Sequence, residues 1–226
     1  MIRTYVFGKT GRMGQMVCEI LQKHPQFELL GGYSQKDPTP WEGPSPDMVI
    51  DFSLPQALPE LIAFVKKHKS GLVSGTTGYS QNQFNQLKEL GRGSPVFWAA
   101  NMSFGVYLMC QLTETLALYE KYYNYEIEEA HHIHKKDKPS GTALIIEQAA
   151  RKNTQKISPI KSIREGEIFG IHKVVARSPL ESIEIRHKAN DRFLFAQGAV
   201  DVALWLKGQP NGFYSMDNFF ETITQV

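Results

Sequence analysis

The chain has 226 residues, of which 42% are hydrophobic and 21% are charged, and its formal net charge at pH 7 is +2. These values are typical of an ordinary folded protein with one large domain or two small ones, able to bury a substantial core. So mild a positive charge does not predict binding to nucleic acid or to an anionic membrane, and no apolar run is long enough to cross a bilayer.

The two cysteines, Cys18 and Cys110, lie in apolar patterns of helical spacing. This placement predicts buried, reduced thiols and not a disulfide framework. The N-terminal residues run directly into a predicted strand without the pattern of a signal peptide, so a cytoplasmic location is expected.

The first hundred residues alternate between predicted strands and helices. Short runs of β-forming residues predict strands at 2–7, 27–32, 48–52, 71–74 and 96–100. Apolar residues at helical spacing predict a helix from the glycines after residue 7 to about His24-Pro25, another at 59–68, and a third that Ser80 caps. The proline-rich stretch 34–46 predicts a loop. This alternation predicts an α/β fold with a doubly wound parallel sheet and right-handed crossovers.

The pattern changes after Asn101. Helices are predicted at 106–122 and 140–152, and strands at 125–130, 160–164, 172–176 and 182–187. Because few helices separate these strands, we predict a second α+β domain built on a mixed sheet. A further helix is predicted at 193–206, and the pattern alone does not assign it to either domain.

Three evenly spaced glycines, Gly8, Gly11 and Gly14, lie between the first strand and the first helix. In this context glycines permit a tight turn and a close approach to a pyrophosphate, which the helix N-terminus attracts. The loop residues predicted to bind a dinucleotide are Gly8, Lys9, Thr10, Gly11, Arg12 and Met13. The alternative is a turn at a helix start with no ligand, because a glycine triplet alone is weak support.

The end of the second strand, Gly32 to Lys36, carries no carboxylate. A site that prefers NAD usually has an Asp or Glu there to bind the ribose 2′-OH. Lys9, Arg12 and Lys36 would instead tolerate a 2′-phosphate, so NADPH is predicted to be at least as good a cofactor as NADH. The alternative is that Lys9 and Lys36 are solvated surface lysines.

Two later strand ends offer backbone donors and short side chains that suit a nicotinamide carboxamide. Ligands of open α/β sheets bind beyond the carboxyl ends of the strands. The residues predicted to bind the cofactor there are Gly75, Thr76, Thr77, Ala99, Ala100, Asn101 and Met102. Each segment alone could be a plain turn, and their placement at successive strand ends favours the binding function.

The segment 129–143 reads Glu-Ala-His-His-Ile-His-Lys-Lys-Asp-Lys-Pro-Ser-Gly-Thr-Ala and holds three of the seven histidines. Histidines exchange protons near neutral pH, lysines are fixed cations, and a helix start attracts an anion. The segment therefore predicts proton transfer to a small anionic substrate, with the amides of Ser140, Gly141 and Thr142 as one anchor.

Two other functions of this segment are disfavoured. Zinc binding is disfavoured, because His131 and His132 are adjacent at a strand end and point in opposite directions, with no cysteine nearby. Nucleic-acid binding is disfavoured because no aromatic platform interleaves the basic run. His134, Lys136 and Lys138 are expected to face outward.

Several stretches together resemble the 4-hydroxy-tetrahydrodipicolinate reductase (dihydrodipicolinate reductase) family of lysine and diaminopimelate biosynthesis. They follow the family's order along nearly the whole chain: Gly11-Arg12-Met13-Gly14, Asp51-Phe52-Ser53, Gly75-Thr76-Thr77-Gly78, Ala100-Asn101-Met102-Ser103, Gly105-Val106, 129–143, Arg164-x-Gly166, Gly170-x-His172, His187-x-Ala189, Arg192 and Phe195-Ala196-x-Gly198-Ala199. The 129–143 segment is the most specific of these.

The resemblance implies an NAD(P)H-dependent reductase that delivers hydride to C4 of its cyclic substrate and a proton to the neighbouring carbon. It implies a dinucleotide-binding Rossmann domain at 1–102 plus 193–226, and a substrate-binding and oligomerisation domain at 103–192 that forms a homotetramer. By this likeness His131 is the proton donor and acceptor, Lys135 is the second proton donor, and His132 contacts the substrate. Gly141 and Thr142 bind one substrate carboxylate.

The chain also departs from that family. It is short, with the loss expected in 34–46 and between Lys152 and Ile160, and Met102 stands where family members can carry an aromatic residue. Two other functions remain open: another nicotinamide-dependent reductase of a small dicarboxylate, and a non-catalytic dinucleotide sensor. Arg192 is expected to be a contact of the substrate domain and not a catalyst.

Overall fold

The computed structural model describes residues 1–36 and 41–224. The chain divides into two compact units, Met1–Met102 together with Phe195–Val226, and Ser103–Leu194. Residues 37–40 of the predicted loop and residues 225–226 at the end of the predicted first domain lie outside the described residues.

Strands and helices alternate in the first hundred residues. In chain order they are β1 (Ile2–Phe7), α1 (Arg12–Lys23), β2 (Phe27–Tyr33), β3 (Met48–Asp51), α2 (Leu58–His68), β4 (Gly71–Ser74), α3 (Gln81–Leu90) and β5 (Pro95–Trp98). The predicted cap of α3 is present: the Ser80 side chain accepts from the Gln83 amide, and the Gln83 side chain accepts from the Ser80 amide.

The later elements include two that the pattern did not predict. They are α4 (Phe104–Ala117), β6 (Asn124–His131), α5 (Gly141–Arg151), β7 (Lys161–Arg164), β8 (Gly170–Arg177), β9 (Ser182–Ala189), α6 (Phe193–Leu206), β10 (Gly212–Tyr214) and α7 (Met216–Thr224). The unpredicted elements are β10, which has only three residues, and the nine-residue helix α7.

Helix α4 ends at Ala117, and the prediction that it reaches Tyr122 was wrong. Two of the carbonyls in its last turn accept from side chains elsewhere in the unit. The Tyr125 hydroxyl donates to the Leu116 carbonyl at 2.8 Å, and the Asn153 amide donates to the Glu114 carbonyl at 3.0 Å. These donors satisfy carbonyls that a continuing helix would have bonded.

The first unit is built on six parallel strands in the order β10-β5-β4-β3-β1-β2, which confirms the predicted doubly wound parallel sheet. Strands of such a sheet are covered on both faces and are therefore apolar throughout. Phe7, Val49 and Leu72 are accordingly buried against Leu61 and Leu87 of the helices.

Helix α6 packs closely on the chain that leaves β5. A Cβ at Gly198 would lie 1.9 Å from the Met102 carbonyl oxygen, so no larger residue fits there. The ring of Trp205 meets that of Phe97 edge to face. None of the helices in the described part of the chain is long and apolar enough to span a membrane.

The second unit has a four-stranded sheet in the order β7-β6-β8-β9. Strands β6 and β7 are parallel, whereas β8 is antiparallel to both of its neighbours, so the predicted mixed sheet is confirmed. Residues of α4 and α5 pack on one face through an apolar cluster that includes Met109, Ile146, Ile127 and Val174. No disulfide joins the two cysteines; Cys110 is buried in this cluster as predicted, whereas Cys18 is only half-buried in the first unit.

Candidate active site

The glycine loop of the first unit joins β1 to α1 through a tight backbone turn. Gly8 has φ +82°, a conformation that favours glycine, and its amide donates to the Tyr33 carbonyl at 2.9 Å. A Cβ at Gly14 would lie 2.1 Å from the Gly8 carbonyl oxygen, so the helix and the loop touch only because residue 14 is glycine. Within the described residues, no side-chain cap and no acidic residue occupies the first turn of α1. Such a helix start attracts a phosphate.

A cavity of about 300 Å³ opens beside this loop, at the carboxyl ends of β1, β2 and β3. Its walls are formed by Gly8, Thr10, Gly11, Tyr33, Ser34, Gln35, Lys36, Phe52, Ser53, Leu54 and Ala57. Among these described lining residues there is no carboxylate, and Lys36 is an exposed cation. Lys9 packs its stem near Gly32, and Arg12 is exposed at the start of α1.

The other predicted cofactor contacts follow β4 and β5. Gly75 lies against the Phe52 ring, since a Cβ there would be 2.2 Å from that ring, and the Thr76 carbonyl accepts from the Trp98 indole at 2.9 Å. Thr77 and Ala100 are exposed, Asn101 is half-buried, and Ala99 and Met102 are buried. The strand ends therefore bring the predicted segments to one edge of the sheet, with Met102 turned into the core.

The segments at this edge are held by a buried carboxylate that sequence reasoning did not assign. Asp51 is fully buried at the end of β3 and accepts from the Ser53 hydroxyl at 2.5 Å, from the Ser74 hydroxyl at 2.7 Å and from the Tyr79 hydroxyl at 3.3 Å. These donors come from the ends of β3 and β4 and from the loop after β4.

The glycine turn, the cavity and the uncapped helix together fit a bound dinucleotide.

In the second unit, the inward face of β6 changes from apolar to polar along the strand. Alternate residues of a strand share a face, and the buried column runs Tyr125, Ile127, Glu129, His131. Tyr125 and Ile127 belong to the core, whereas Glu129 and His131 lie at the other end of the same face. The strand therefore carries a carboxylate and an imidazole into the polar end of the unit.

His131 is 7% exposed, and its Nδ1 lies against the Glu129 carboxylate. Burial lowers the pKa of His131, the Glu129 carboxylate opposes part of that change, and the cations Lys135 and Arg164 add to it. Nε2 lies on the side of Gly170, where a Cβ would come within 3.2 Å of it. The absence of a side chain at residue 170 therefore keeps Nε2 clear on that side.

Lys135 lies in the turn-rich connection between β6 and α5, and its Nζ is 2.9 Å from Oδ2 of Asp137. Burial tends to raise the pKa of Asp137, but Lys135, a backbone hydrogen bond and Arg164 together lower it. Arg164 of β7 donates through Nε to the Lys135 carbonyl at 3.2 Å. The catalytic lysine predicted from sequence is thus ion-paired and held by its backbone.

His132 points to the opposite side of the strand end and contacts Arg192. Nη2 of Arg192 donates to Nε2 of His132 at 2.9 Å, and burial and that guanidinium lower the pKa of His132. Arg192 is therefore a contact of the substrate unit, as the sequence suggests. His134, Lys136 and Lys138 are exposed.

The N-terminus of α5 is capped by Ser140, whose hydroxyl accepts from the Ala143 amide at 3.2 Å. Gly141 is exposed, a Cβ there would meet nothing within 4 Å, and Thr142 is half-buried. Backbone amides at a helix start attract a carboxylate, so this end suits one end of a dicarboxylate.

A polar row that sequence reasoning missed crosses the sheet beside these residues. The register places Glu129 opposite His172, and His172 opposite His187. Nε2 of His172 lies 3.3 Å from the Ser140 hydroxyl, and the His131 and His172 ring centroids are 5.2 Å apart. In the part of the chain that the structure describes, no group of three or more His, Cys, Asp or Glu side chains could hold a metal ion.

The signal for the missed residues was only partly present in the sequence. The spacing of Glu129 and His131 on one predicted strand places both on one face. The approach of Arg164 and His172 depends on strand register, which the hydrophobic pattern does not specify across strands.

A parallel dinucleotide-binding sheet followed by a unit with a histidine and a lysine beside a helix start defines an NAD(P)H-dependent oxidoreductase of the two-domain class.

Comparison with known proteins identifies the family within that class. The profile described as dihydrodipicolinate reductase, N-terminus, matches residues 2–43 and 42–102, and the one described as dihydrodipicolinate reductase, C-terminus, matches residues 105–220. The chain therefore belongs to the dihydrodipicolinate reductase family, whose members use NADH or NADPH.

Similar proteins extend over nearly the whole chain. A 4-hydroxy-tetrahydrodipicolinate reductase of Bdellovibrio bacteriovorus is 34% identical over 95% of this chain and 94% of its own, and one of Rickettsia rickettsii is 31% identical over 98% and 100%. The chain matches both relatives almost end to end. The expectation that it is short for the family agrees with its alignment to the 4-hydroxy-tetrahydrodipicolinate reductase of Caldanaerobacter subterraneus, which extends over 246 positions and covers 96% of this chain. The solved dipicolinate-bound dihydrodipicolinate reductase of Paenisporosarcina sp. TG-14 has a TM-score of 0.78 at 22% identity, over 95% of this chain and 97% of that chain, and shares the fold.

Proposed function

We propose that the chain catalyses the NAD(P)H-dependent reduction of 4-hydroxy-tetrahydrodipicolinate to tetrahydrodipicolinate. The observation that carries this proposal is the arrangement of His131, Lys135 and the capped start of α5 in one unit of a chain that matches the family end to end. The site residues named from sequence remain part of this proposal.

The residues of the first unit fit the cofactor. The amides at the start of α1 and the glycine turn at Gly8 would hold the pyrophosphate, and the cavity by Lys36 would hold the adenosine ribose. The segments after β4 and β5 would hold the nicotinamide end. When bound, the reduced nicotinamide supplies a hydride to the substrate.

The residues of the second unit bind the dicarboxylate and supply protons. The ammonium of Lys135 attracts one carboxylate, and the amides of Ser140, Gly141 and Thr142 attract the other. His132 contacts the substrate beside Arg192. The protonated ring of His131 gives up its proton from Nε2, because Nδ1–H is held by Glu129, and Lys135 is the second donor.

A coupled assay tests this function. The purified chain is mixed with NADPH or NADH and with the aldolase-type synthase that makes the substrate, and absorbance loss of the reduced cofactor is followed. Rapid loss that needs both the synthase and the chain supports the proposal. Cofactor oxidation only with other small dicarboxylates would indicate a different reductase, and cofactor binding without turnover would indicate a sensor.

We also propose that the chain works as a homotetramer in the cytoplasm. The family resemblance supports this, and the outer face of the four-stranded sheet carries mixed charges, such as the Lys161–Glu128 ion pair. Light scattering of the purified chain measures its mass directly, and the mass of a monomer would contradict the tetramer.

A further inference from the structure

Glu129 is a completely buried carboxylate in the centre of the second unit. A buried charge is costly unless it is paired and hydrogen-bonded. One of its oxygens meets Nδ1 of His131, and the other lies 2.8 Å from Nη2 of Arg164. Its two oxygens are therefore divided between a proton donor of the reaction and an arginine.

Arg164 lies at the end of β7, in register with His131 at the end of β6, and its side chain is 6% exposed. Besides Glu129 it binds main-chain carbonyls on the connection that carries Lys135. Nε donates to the Lys135 carbonyl at 3.2 Å, and Nη2 donates to the Asp137 carbonyl. A planar guanidinium with five fixed donors can bind a carboxylate and a loop at once, which an ammonium cannot.

Resting on the reductase function above, we propose that the Glu129–Arg164 ion pair is a positioning device that holds both proton donors, His131 through its ring and Lys135 through its backbone. Neither residue is assigned a contact with the substrate. Glu129 acts through His131, and Arg164 acts through Glu129 and through the loop.

Glu129 fixes which ring nitrogen of His131 exchanges a proton. A carboxylate accepts from Nδ1–H, so the neutral ring carries its lone pair on Nε2, on the side that Gly170 leaves clear. Burial tends to raise the pKa of Glu129, but Arg164, Ser162 and His131 together lower it, so the acceptor stays ionised. The charges that face His131 are Glu129 on its own strand, Arg164 on β7 and Lys135 on the loop, with His172 on β8 beside them.

A double-mutant cycle tests the role of Glu129. Glu129→Gln keeps the size of the side chain and removes its charge. It should lower kcat by about tenfold or more and change substrate KM little. The loss should not exceed the roughly 10²–10⁴-fold that a general acid supplies. In a His131→Gln background the same change should cost less than about twofold, because a residue that acts through His131 has nothing left to act on.

The pH profile separates positioning from general stabilisation. Since the Glu129 carboxylate raises the pKa of His131, its removal should move the alkaline limb of kcat to lower pH. Nitrogen NMR of the His131 ring, assigned with His131→Gln, should show Nδ1–H in the free wild-type protein and a mixture of tautomers in Glu129→Gln. This readout needs no turnover, so it decides the inference even if the substrate proposed above is wrong.

Arg164→Lys tests the second arm. It keeps a positive charge near Glu129 but loses the fork to the loop, so substrate KM should rise severalfold while the alkaline limb stays in place. The matched control is Arg177→Lys, which alters an exposed ion pair with Glu126 between the same β6 strand and β8 and should leave both constants unchanged. Any of three results would overturn the inference. The kcat losses of Glu129→Gln and His131→Gln could multiply in the double mutant, or the His131 ring could keep its Nδ1–H tautomer in Glu129→Gln. Arg164→Lys could also leave substrate KM unchanged, as Arg177→Lys should.

Discussion

Nζ of Lys135 lies 2.9 Å from Oδ2 of Asp137, within the connection that leads to the start of α5. Asp137 is half exposed, whereas the Lys135 side chain is only 25% exposed, so the pair lies at the surface with the lysine on its inner side. A substrate carboxylate that binds Lys135 therefore has to compete with an anion already present. Lys135 is therefore partly shielded from solvent and already paired with Asp137 before a substrate binds.

We expect Lys135→Ala to raise substrate KM and to lower kcat together. The change removes a positive charge that the dianionic substrate needs in both the ground state and the transition state, and it removes the second proton donor. Steady-state kinetics with the substrate varied at saturating NADPH measure both constants. Lys138→Ala removes an exposed lysine of the same connection and serves as the control. Equal kinetics for the two variants would exclude Lys135 from the site.

His131→Gln should lower kcat by about 10²–10⁴, the usual contribution of a general acid. Glutamine fills similar space but cannot give up a proton near neutral pH, while the cofactor residues of the first unit are untouched. NADPH affinity measured by fluorescence titration should therefore stay the same. His134→Gln, at an exposed position three residues further along, is the control. Unchanged turnover in His131→Gln would remove this residue from the mechanism.

Gly141→Ala should weaken substrate binding without weakening the fold. A Cβ at Gly141 meets no atom within 4 Å, so the methyl group causes no clash in the protein itself. It would, however, stand beside the α5 amides that are proposed to hold a carboxylate. We expect a higher substrate KM with an unchanged melting temperature. Gly93→Ala, in a surface turn of the first unit with equal free space, controls for the glycine change itself.

Much of this architecture could be predicted from sequence because its strands and helices are locally specified. Strand β1 at Ile2–Phe7 and helix α6 at Phe193–Leu206 agree with the pattern at both ends. The end of α4 could not be predicted, because part of its carbonyl bonding comes from distant side chains, such as the Tyr125 hydroxyl, which donates to the Leu116 carbonyl. The local sequence pattern predicts where an element begins, but it does not predict which distant side chain contacts its last residues.

The chemistry of the second unit divides in the same way. His131 and Lys135 could be found from sequence because they lie in one short segment. Arg164 and His172 belong to the resembling stretches, but their approach to Glu129 could not be predicted, because they come from strands that reach it only through sheet register. Hydrophobic alternation gives the face of each side chain but not the residue opposite it.

Lys36→Ala tests the cofactor preference predicted from the missing carboxylate. Lys36 is an exposed cation in the wall of the cavity beside the glycine loop. If it binds the 2′-phosphate, its removal should raise the KM for NADPH severalfold and leave the KM for NADH unchanged, because NADH lacks that phosphate. Lys23→Ala, which alters an exposed ion pair with Glu19 on α1, is the control. A wild-type enzyme that strongly prefers NADH would contradict the prediction outright.

The buried His172 makes the stability of the second unit depend on pH. Burial, with His131 and His187 nearby, lowers the pKa of His172 to about 3. Since the unfolded side chain has a pKa of about 6.5, it binds a proton between these values while the folded one does not. Stability is therefore fully present above pH 6.5 and falls on acidification, by up to about 1.4 kcal/mol per pH unit.

His172→Gln should remove this pH dependence, because its amide oxygen can still accept from the Ser140 hydroxyl but takes up no proton. The free energy of opening, measured by hydrogen exchange of β8 peptides, should fall less steeply between pH 7 and pH 5 in the variant than in the wild type. The opening free energy of the wild type minus that of the variant should therefore decrease as the pH is lowered from 7 to 5. His134→Gln, exposed in the same unit, should follow the wild-type curve. If the opening free energies of wild type and His172→Gln changed with pH in parallel, the prediction would be wrong. His172 would then be protonated in the folded unit or reach solvent there, because a buried neutral imidazole makes the two pH dependences differ.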